Sequence, residues 1–188
     1  MIVLASASPR RQEILRNAGI PFEVQVSNID ETVREGESPR GCAERLAREK
    51  AKSVAQQRPR DFVLGADTIV VVDDAILGKP RDREDAARML RLLSGRSHEV
   101  ITGVCLIAPD GTEEVRSEIT RVTMSAINED EILEYVRSGE PMDKAGAYAI
   151  QGMASRWIPQ IEGDYFNVVG LPMALVWEML RQYINLSS

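Results

Sequence analysis

The chain has 188 residues, 44% of them hydrophobic and 28% charged, which is the composition of one soluble globular domain, or of two lobes that share a core. Its net charge of −6 argues against binding to bulk nucleic acid, so an anionic ligand would have to be held by a local basic cluster or a metal ion. Its apolar runs fall far short of the roughly 18 residues of a membrane helix, and its first residues lack the pattern of a secretory signal, which together predict a cytoplasmic protein without a membrane span.

The first predicted elements are a strand, a tight turn and a helix. Ser8 is expected to be the N-cap, Pro9 the first helical residue and Gly19 the end of the helix. Arg10 and Arg11 lie in the first turn, where the positive end of the helix dipole disfavours each cation by roughly 0.3–1 kcal/mol. Two arginines in this position are explained if the helix N-terminus binds a phosphate chain, because backbone N–H groups and guanidinium donors would then act together.

Hydrophobic periodicity and turn residues predict the remaining elements. Strands are predicted at 22–27, at 62–72 with a short return strand after it, at 98–108, 112–127, 145–152, 156–163 and 166–170. Helices are predicted at 38–57, 82–96, 128–139 and 173–184. Strands outnumber what strict alternation of strands and helices would supply, so we predict an α/β fold with an elongated mixed sheet and flanking helices.

Two charged residues interrupt apolar surfaces. Lys50 projects from the apolar stripe of the helix at 38–57, where it either reaches solvent along its aliphatic stem or delivers a positive charge into a cleft. Asp67 lies within an apolar strand, where an unpaired carboxylate would cost several kcal/mol. It is therefore either an edge residue at a bend that Gly65 permits, or it faces a cation, a metal ion or a bound water for which it is the general base. The stripe around Lys50 consists of Ala43, Leu46, Ala47, Ala51 and Val54.

Two further polar residues lie next to glycines. Lys79 lies between Gly78 and Pro80, in a loop where a lysine is ordinarily solvated. Gln151 precedes Gly152, and its amide offers a donor and an acceptor side by side, which suits either the edge of a nucleobase or a hydrogen bond to a neighbouring loop. Together with the cationic helix N-terminus, Lys50 and Asp67, these residues could hold a polyphosphate, activate water and read a base.

Histidine and thiol chemistry have few candidates in this chain. His98 is the single histidine, and it is as easily a surface residue at the start of a strand as a general base. Cys42 and Cys105 are too few and too far apart in sequence to propose a metal site, so we expect both to fill the core as free thiols.

Six stretches resemble, in order and spacing, the Maf (septum formation) family of nucleoside triphosphate pyrophosphatases. They are LASASPRRQEIL, GADTIV, LGKPRD, MLRLLSGRSHEVITGV, EPMDKAGAYAIQG and GDYFNVVGLP, and they run from Leu4 to Pro172. The resemblance implies hydrolysis of a nucleoside triphosphate to the monophosphate and pyrophosphate, with a divalent cation, Mg²⁺ or Mn²⁺. It also implies a fold similar to that of inosine triphosphate pyrophosphatases, a single domain over residues 1–188 with two lobes around one central cleft, and a homodimer.

The resemblance also implies roles for individual residues. Asp67 resembles the family's proton acceptor for the attacking water. Because the chain lacks a His/Cys site, the chemistry of the ligands predicts that oxygen atoms hold the metal ion, those of Glu31 and Asp67 together with phosphate oxygens. The positions that would bind the phosphates are Ser6, Arg11, Lys50 and Lys79. The positions that separate the family's substrate branches are Arg10, Thr68 and Gln151. In this chain they resemble the branch that acts on dTTP and UTP, whereas the 7-methyl-GTP branch typically carries Trp, Gln and Glu there.

The chemistry of the bases agrees with this assignment. Uracil and thymine share an N3 donor between two carbonyl acceptors, so the neutral amide of Gln151 can pair with either base. The predicted function is hydrolysis of dTTP and UTP, and of modified relatives such as 5-methyl-UTP or pseudo-UTP. The alternative is a nucleotide-sensing regulator that inhibits septum formation, which needs affinity for a nucleotide but no activated water.

Overall fold

The computed structural model describes residues 1–183. Its strands are β1 (Ile2–Leu4), β2 (Phe22–Val24), β3 (Phe62–Val72), β4 (Ala75–Leu77), β5 (Ser97–Ile107), β6 (Glu113–Thr123) and β7 (Gln160–Glu162). Its α-helices are α1 (Pro9–Asn17), α2 (Pro39–Ala55), α3 (Arg83–Leu93), α4 (Glu129–Arg137), α5 (Tyr165–Val169) and α6 (Met173–Leu180). Short 3-10 turns lie at Glu140–Asp143, Ala145–Ala147 and Met153–Trp157.

The strands form one mixed sheet in the order β2-β1-β3-β5-β6-β7, with β4 paired to β3. β1 is parallel to both of its neighbours, so that Ile2 lies opposite Phe22 on one side and Phe62 on the other. The pairs β3–β4 and β6–β7 are antiparallel. The predicted α/β fold with a mixed sheet and packed helices is therefore confirmed. Within residues 1–183, no helix combines the length and the apolar character needed to cross a bilayer.

The chain divides into two compact units. The first contains Met1–Asp67, Thr102–Glu118 and the segment from Gly170 onward, and the second contains Thr68–Ile101 and Ile119–Val169. A buried cluster in the first unit consists of Val3, Ala5, Ala47, Ala51, Val54, Val63 and Cys105. A larger cluster in the second unit includes Val70, Leu90, Leu93, Val122, Ile132, Tyr135 and Trp157.

In the first unit, α2 packs directly on the sheet because two strand residues have no side chain. A Cβ atom on Gly65 of β3 would overlap the backbone of Ala47 and Ala51, and one on Gly103 of β5 would overlap the backbone of Ala43. The predicted stripe of α2 is buried, and Lys50 is buried with it. This close approach places Lys50 beside the middle of β3.

In the second unit, short-range signals in the sequence set the turns and helix ends. Asp73 and Asp74 both have positive φ, which makes the tight turn between β3 and β4 that the sequence predicts. Asp82 caps α3, and the side chains of Asn128 and Glu131 form the predicted capping box of α4.

Two of the predicted strands are wrong. Residues 145–152 form turns instead, because Gly146 and Ala147 have φ of 68° and 60°, in the left-handed region. Most of 166–170 lies in helix α5, which follows Asp164, whose side chain accepts the Phe166 N–H. The predicted strands at 22–27 and 156–163 shorten to β2 and β7, and the predicted end of the last helix at Ile184 lies outside the described residues.

Candidate active site

The N-terminus of α1 is built as the sequence predicts. Ser8 accepts the N–H of Arg11 at 3.5 Å and Pro9 is the first helical residue. The N–H of Ser8 in turn donates to the hydroxyl of Ser6 at 3.2 Å. The two arginines that follow the cap differ, because Arg10 is half-buried whereas Arg11 is buried.

Arg11 ties together three segments of the first unit. Its Nε donates to the carbonyl oxygen of Gly170 at 2.7 Å, and its Nη1 donates to Ser6 Oγ at 3.1 Å and to the carbonyl of Ala66 at 2.9 Å. Burial lowers the pKa of Arg11 from its ordinary value, while the negative charge of Asp67 acts in the opposite direction. A guanidinium stays protonated in proteins, so Arg11 supplies a fixed positive charge behind Ser6.

The centre of the site is an ammonium group between two carboxylates. Lys50 Nζ lies 2.6 Å from Asp67 Oδ1 and 2.9 Å from Glu31 Oε1. Lys50 and Asp67 are each only 7% exposed, whereas Glu31 is exposed. The lysine therefore does not extend to solvent, and the carboxylate within the strand faces a cation. Removing one member of such a buried pair destabilises a protein by about 3–5 kcal/mol, because the other charge is left uncompensated.

Glu31 belongs to residues 25–38, which have no regular secondary structure. Arg45 of α2 holds this segment with a bidentate contact to Glu37, at 2.5 and 2.9 Å, and with a hydrogen bond to the carbonyl of Thr32 at 3.0 Å. The Arg45 contact lowers the pKa of Glu37 to about 2. Sequence reasoning did not identify this anchor, because an arginine on the polar face of a helix carries no local signal of its partner.

The remaining predicted site residues belong to the second unit. Thr68 follows Asp67 in β3 and is half-buried, while Lys79 and Gln151 are exposed. The backbone N–H of Gly146 donates to the carbonyl of Gly78 at 3.1 Å, so the loop with Lys79 is joined to the segment that carries Gln151. The structure thus brings Ser6 to Arg11 and brings Lys50 to both carboxylates.

His98 is buried, so the interpretation of His98 as a surface residue is wrong. Its Nε2 lies 2.6 Å from the hydroxyl of Tyr148, a neighbour fifty positions away in the sequence. Burial lowers the pKa of His98 to about 4, so the ring is neutral at pH 7. Cys42 and Cys105 are free and buried, as predicted, and burial raises the pKa of Cys42 to about 11 and that of Cys105 to about 12.

The oxygen ligands of the site suit a hard divalent cation. Within residues 1–183, no three His, Cys, Asp or Glu side chains form a complete metal cage. Glu31 and Asp67 nevertheless lie close together, because both contact the ammonium of Lys50, and each carboxylate has a second oxygen besides the one in that contact. Mg²⁺ is commonly bound by one or two carboxylates, with substrate phosphates and water completing its shell. The pair therefore fits a metal ion that arrives with a polyphosphate.

Comparisons with known proteins agree over nearly the whole chain. A family model described as "Maf-like protein" matches residues 1–183. A Koribacter versatilis (strain Ellin345) protein named dTTP/UTP pyrophosphatase is 58% identical, over 96% of this chain and 93% of that protein. A Geobacillus sp. (strain WCH70) protein of the same name is 50% identical, over 92% of each. Among solved structures, the Staphylococcus aureus Ham1 protein has a similar fold, with a TM-score of 0.55 and 15% identity over 97% of this chain and 99% of that one.

Proposed function

The chain belongs to the Maf-like protein family, and from this premise we propose that it hydrolyses dTTP and UTP to the monophosphate and pyrophosphate. The observation that supports this reaction most directly is the buried ammonium of Lys50, in contact with the carboxylates of Glu31 and Asp67. Hydrolysis of a phosphoanhydride requires a base for the attacking water and positive charge beside the phosphate oxygens. Lys50 and the carboxylates of Glu31 and Asp67 supply the positive charge and the base in one place.

We assign Asp67 as the general base. Its Oδ1 is engaged by Lys50, which fixes the orientation of the carboxylate beside the water that attacks the α-phosphorus. A carboxylate held in this way can accept the water's proton without first reorganising. The leaving group is pyrophosphate, whose developing charge the nearby cations stabilise.

Ser6, Arg11, Lys50 and Lys79 are proposed to bind the triphosphate. The Ser6 hydroxyl oxygen accepts hydrogen bonds from Arg11 Nη1 and from the N–H of Ser8. Because both of these contacts use its lone pairs, the hydroxyl proton of Ser6 is available to donate to a phosphate oxygen. The contact with Arg11 thus favours Ser6 as a hydrogen-bond donor to an anion.

Glu31 and Asp67 would hold the divalent cation, Mg²⁺ or Mn²⁺. When bound, such an ion neutralises phosphate charge and stabilises the charge that develops as the anhydride bond breaks. Lys50 keeps the two carboxylates close together although their charges repel.

Arg10, Thr68 and Gln151 are proposed to select the base. The Gln151 amide matches the N3 donor and the neighbouring carbonyl of uracil or thymine. A methyl group at C5 leaves that edge intact, and attachment of the ribose through C5 in pseudo-UTP keeps N3–H between two carbonyls, so both nucleotides are expected substrates as well.

The test is a hydrolysis panel of the common nucleoside triphosphates with 5-methyl-UTP, pseudo-UTP and 7-methyl-GTP, in Mg²⁺ or Mn²⁺, with pyrophosphate and orthophosphate assayed separately. We expect pyrophosphate release from dTTP, UTP, 5-methyl-UTP and pseudo-UTP. Turnover of 7-methyl-GTP in their place would overturn the specificity, and orthophosphate as the first product would overturn the reaction. Nucleotide binding without turnover would favour the regulatory alternative.

We propose further that the protein acts in the cytoplasm as a homodimer. The cytoplasmic assignment is supported by the free, buried thiols of Cys42 and Cys105, which suit a reducing compartment. The dimer is an expectation from the family resemblance. Sedimentation equilibrium of the full chain would test it, since a mass near 20.9 kDa would identify a monomer.

A further inference from the structure

Residues 146–153, which we name the Gln151 segment, are held by side chains that the proposed function does not use. Before Gln151, Tyr148 is buried and contacts His98 at 2.6 Å. After Gln151, Glu140 Oε1 accepts the backbone N–H of Met153 at 3.0 Å. Gln151 itself is exposed, so its side chain is presented from a segment that is fixed on both sides.

The carboxylate of Glu140 is itself held in place by α4. The hydroxyl of Tyr135 donates to Glu140 Oε1 at 2.9 Å. Tyr135 is fully buried and packs edge-on against Trp157, with ring centroids 5.3 Å apart. Burial raises the pKa of Tyr135, so its hydroxyl is protonated and remains a donor at neutral pH. Tyr135, Glu140 and Met153 therefore form a continuous link from a helix of the core to the Gln151 segment.

Gly152 leaves the space that this link occupies. A Cβ atom there would overlap Glu140 Oε1 and lie 2.5 Å from Cδ. The φ of Gly152 is −104°, outside the left-handed region, so the glycine is required by the carboxylate and not by the backbone conformation. A side chain at 152 would displace the carboxylate from its position.

The backbone of the Gln151 segment shows that its conformation is imposed by its surroundings. Ala147 has a φ of 60°, which costs a non-glycine residue about 1–3 kcal/mol and persists only where neighbouring contacts enforce it. One such contact is the hydrogen bond from Gly146 N–H to the Gly78 carbonyl at 3.1 Å.

We propose that Glu140 is a positioning residue that fixes the backbone position from which Gln151 meets the base and thereby makes the site selective for uracil and thymine over cytosine. This inference rests on the proposed function, in which Gln151 reads the N3 edge of the base. Cytosine exchanges donor and acceptor at N3 and C4 relative to uracil, and a glutamine amide that can rotate by 180° matches either pattern. Discrimination therefore requires that the amide meet the base from one fixed backbone position, so that only one of its two orientations also suits the groups beside the base.

The experiment compares UTP with CTP in competition, so that the ratio of their kcat/KM values is measured directly. Glu140→Ala is expected to lower the UTP/CTP ratio by about tenfold or more. Glu140→Gln keeps an oxygen acceptor for the Met153 N–H and should retain most of the wild-type ratio. Glu134→Ala removes an exposed carboxylate of α4 and is the matched control.

Two further variants separate positioning from a general structural defect. Gly152→Ala should lower the UTP/CTP ratio to the value found for Glu140→Ala. In the Glu140→Ala background a Cβ at position 152 has room, so adding Gly152→Ala there should change the ratio little further. In a Gln151→Ala background, Glu140→Ala should leave the ratio unchanged. Melting temperatures identify any variant that fails to fold. If Glu140→Ala fails to fold, the UTP/CTP ratio of Gly152→Ala is the test.

An unchanged UTP/CTP ratio in folded Glu140→Ala and Gly152→Ala would overturn the positioning role, even if both rates fell equally. Failure of the wild-type protein to hydrolyse UTP would instead overturn the proposed function. The two failures are therefore distinguishable.

Discussion

Lys50 and Asp67 each require a partner of opposite charge, because burying either charge alone at 7% exposure would destabilise the folded protein. Their contact of 2.6 Å offsets the free-energy cost of burying the two charges, and Glu31 adds a second carboxylate 2.9 Å from the ammonium of Lys50. Buried ion pairs are often no more stabilising than apolar residues of similar volume, so stability alone is a weak reason for this cluster. A carboxylate fixed beside a cation is what activation of water next to a phosphate chain requires.

Asp67→Asn is expected to lower kcat for UTP by about 10²–10⁴-fold, because the amide cannot accept the proton of the attacking water. Lys50 keeps the nearby carboxylate of Glu31 and remains a phosphate ligand, so UTP binding should be largely retained. Pyrophosphate release measures the first effect and calorimetric titration with UTP the second. Asp74→Asn, at an exposed turn residue that asparagine tolerates, is the control. Loss of binding together with turnover would show that Asp67 acts chiefly by holding the site or the metal ion together, and would contradict its assignment as the general base.

Among the elements, α2 carries the site because it approaches the sheet more closely than side chains normally permit. Gly65 on β3 and Gly103 on β5 make this approach sterically allowed. The same helix provides Lys50 on its buried face and Arg45, which anchors the segment of Glu31, on a more exposed face. The position of α2 therefore determines both the contact of Lys50 with Asp67 and the contact by which Arg45 holds the segment of Glu31.

Gly65→Ala is expected to destabilise the protein by about 1–3 kcal/mol or more, because its Cβ would overlap backbone atoms that cannot move independently. Displacement of α2 should also lower kcat, since Lys50 would shift relative to Asp67. Gly78→Ala is the matched control, since a Cβ there has no neighbour within 4 Å. Urea denaturation and UTP turnover measure the two effects, and equal stability of the two variants would contradict the packing argument.

Elements with a strong local signal are predicted well from the sequence. The α2 stripe, the β3–β4 turn and the capping box of α4 all follow from residues within a few positions of one another. The stretch 145–152 alternates like a strand, but tertiary contacts hold Ala147 in a left-handed conformation. Residues 166–170 include Phe166, Val168 and Val169, whose side chains favour a strand, yet Asp164 begins a helical turn there.

At the scale of the whole molecule, the site is only partly predictable from sequence. The anomalous positions of Lys50 and Asp67 indicate that each requires a partner, and the structure shows that they are partners of each other. Other contacts join residues far apart in the chain, such as Arg11 with Gly170 and His98 with Tyr148. Periodicity reports local structure and burial, so it cannot identify these pairs.

His98 makes the stability of the folded protein depend on pH. Burial lowers its pKa from 6.5 to about 4, so between these values the unfolded chain binds a proton at His98 that the folded protein does not. The contribution of neutral His98 is therefore complete above pH 6.5 and is lost as the pH falls toward 4, by about 3 kcal/mol over the whole window.

We expect the free energy of unfolding to fall more steeply from pH 6.5 to 4 in the wild-type protein than in His98→Gln, whose side chain does not titrate. Urea denaturation across this range measures the difference. Carboxylates such as Glu37, whose pKa is lowered to about 2, destabilise both proteins equally as they protonate below pH 4.5, so they cancel in the comparison. Parallel curves for the two proteins would mean that folded His98 takes up its proton near pH 6.5, which its burial against Tyr148 opposes.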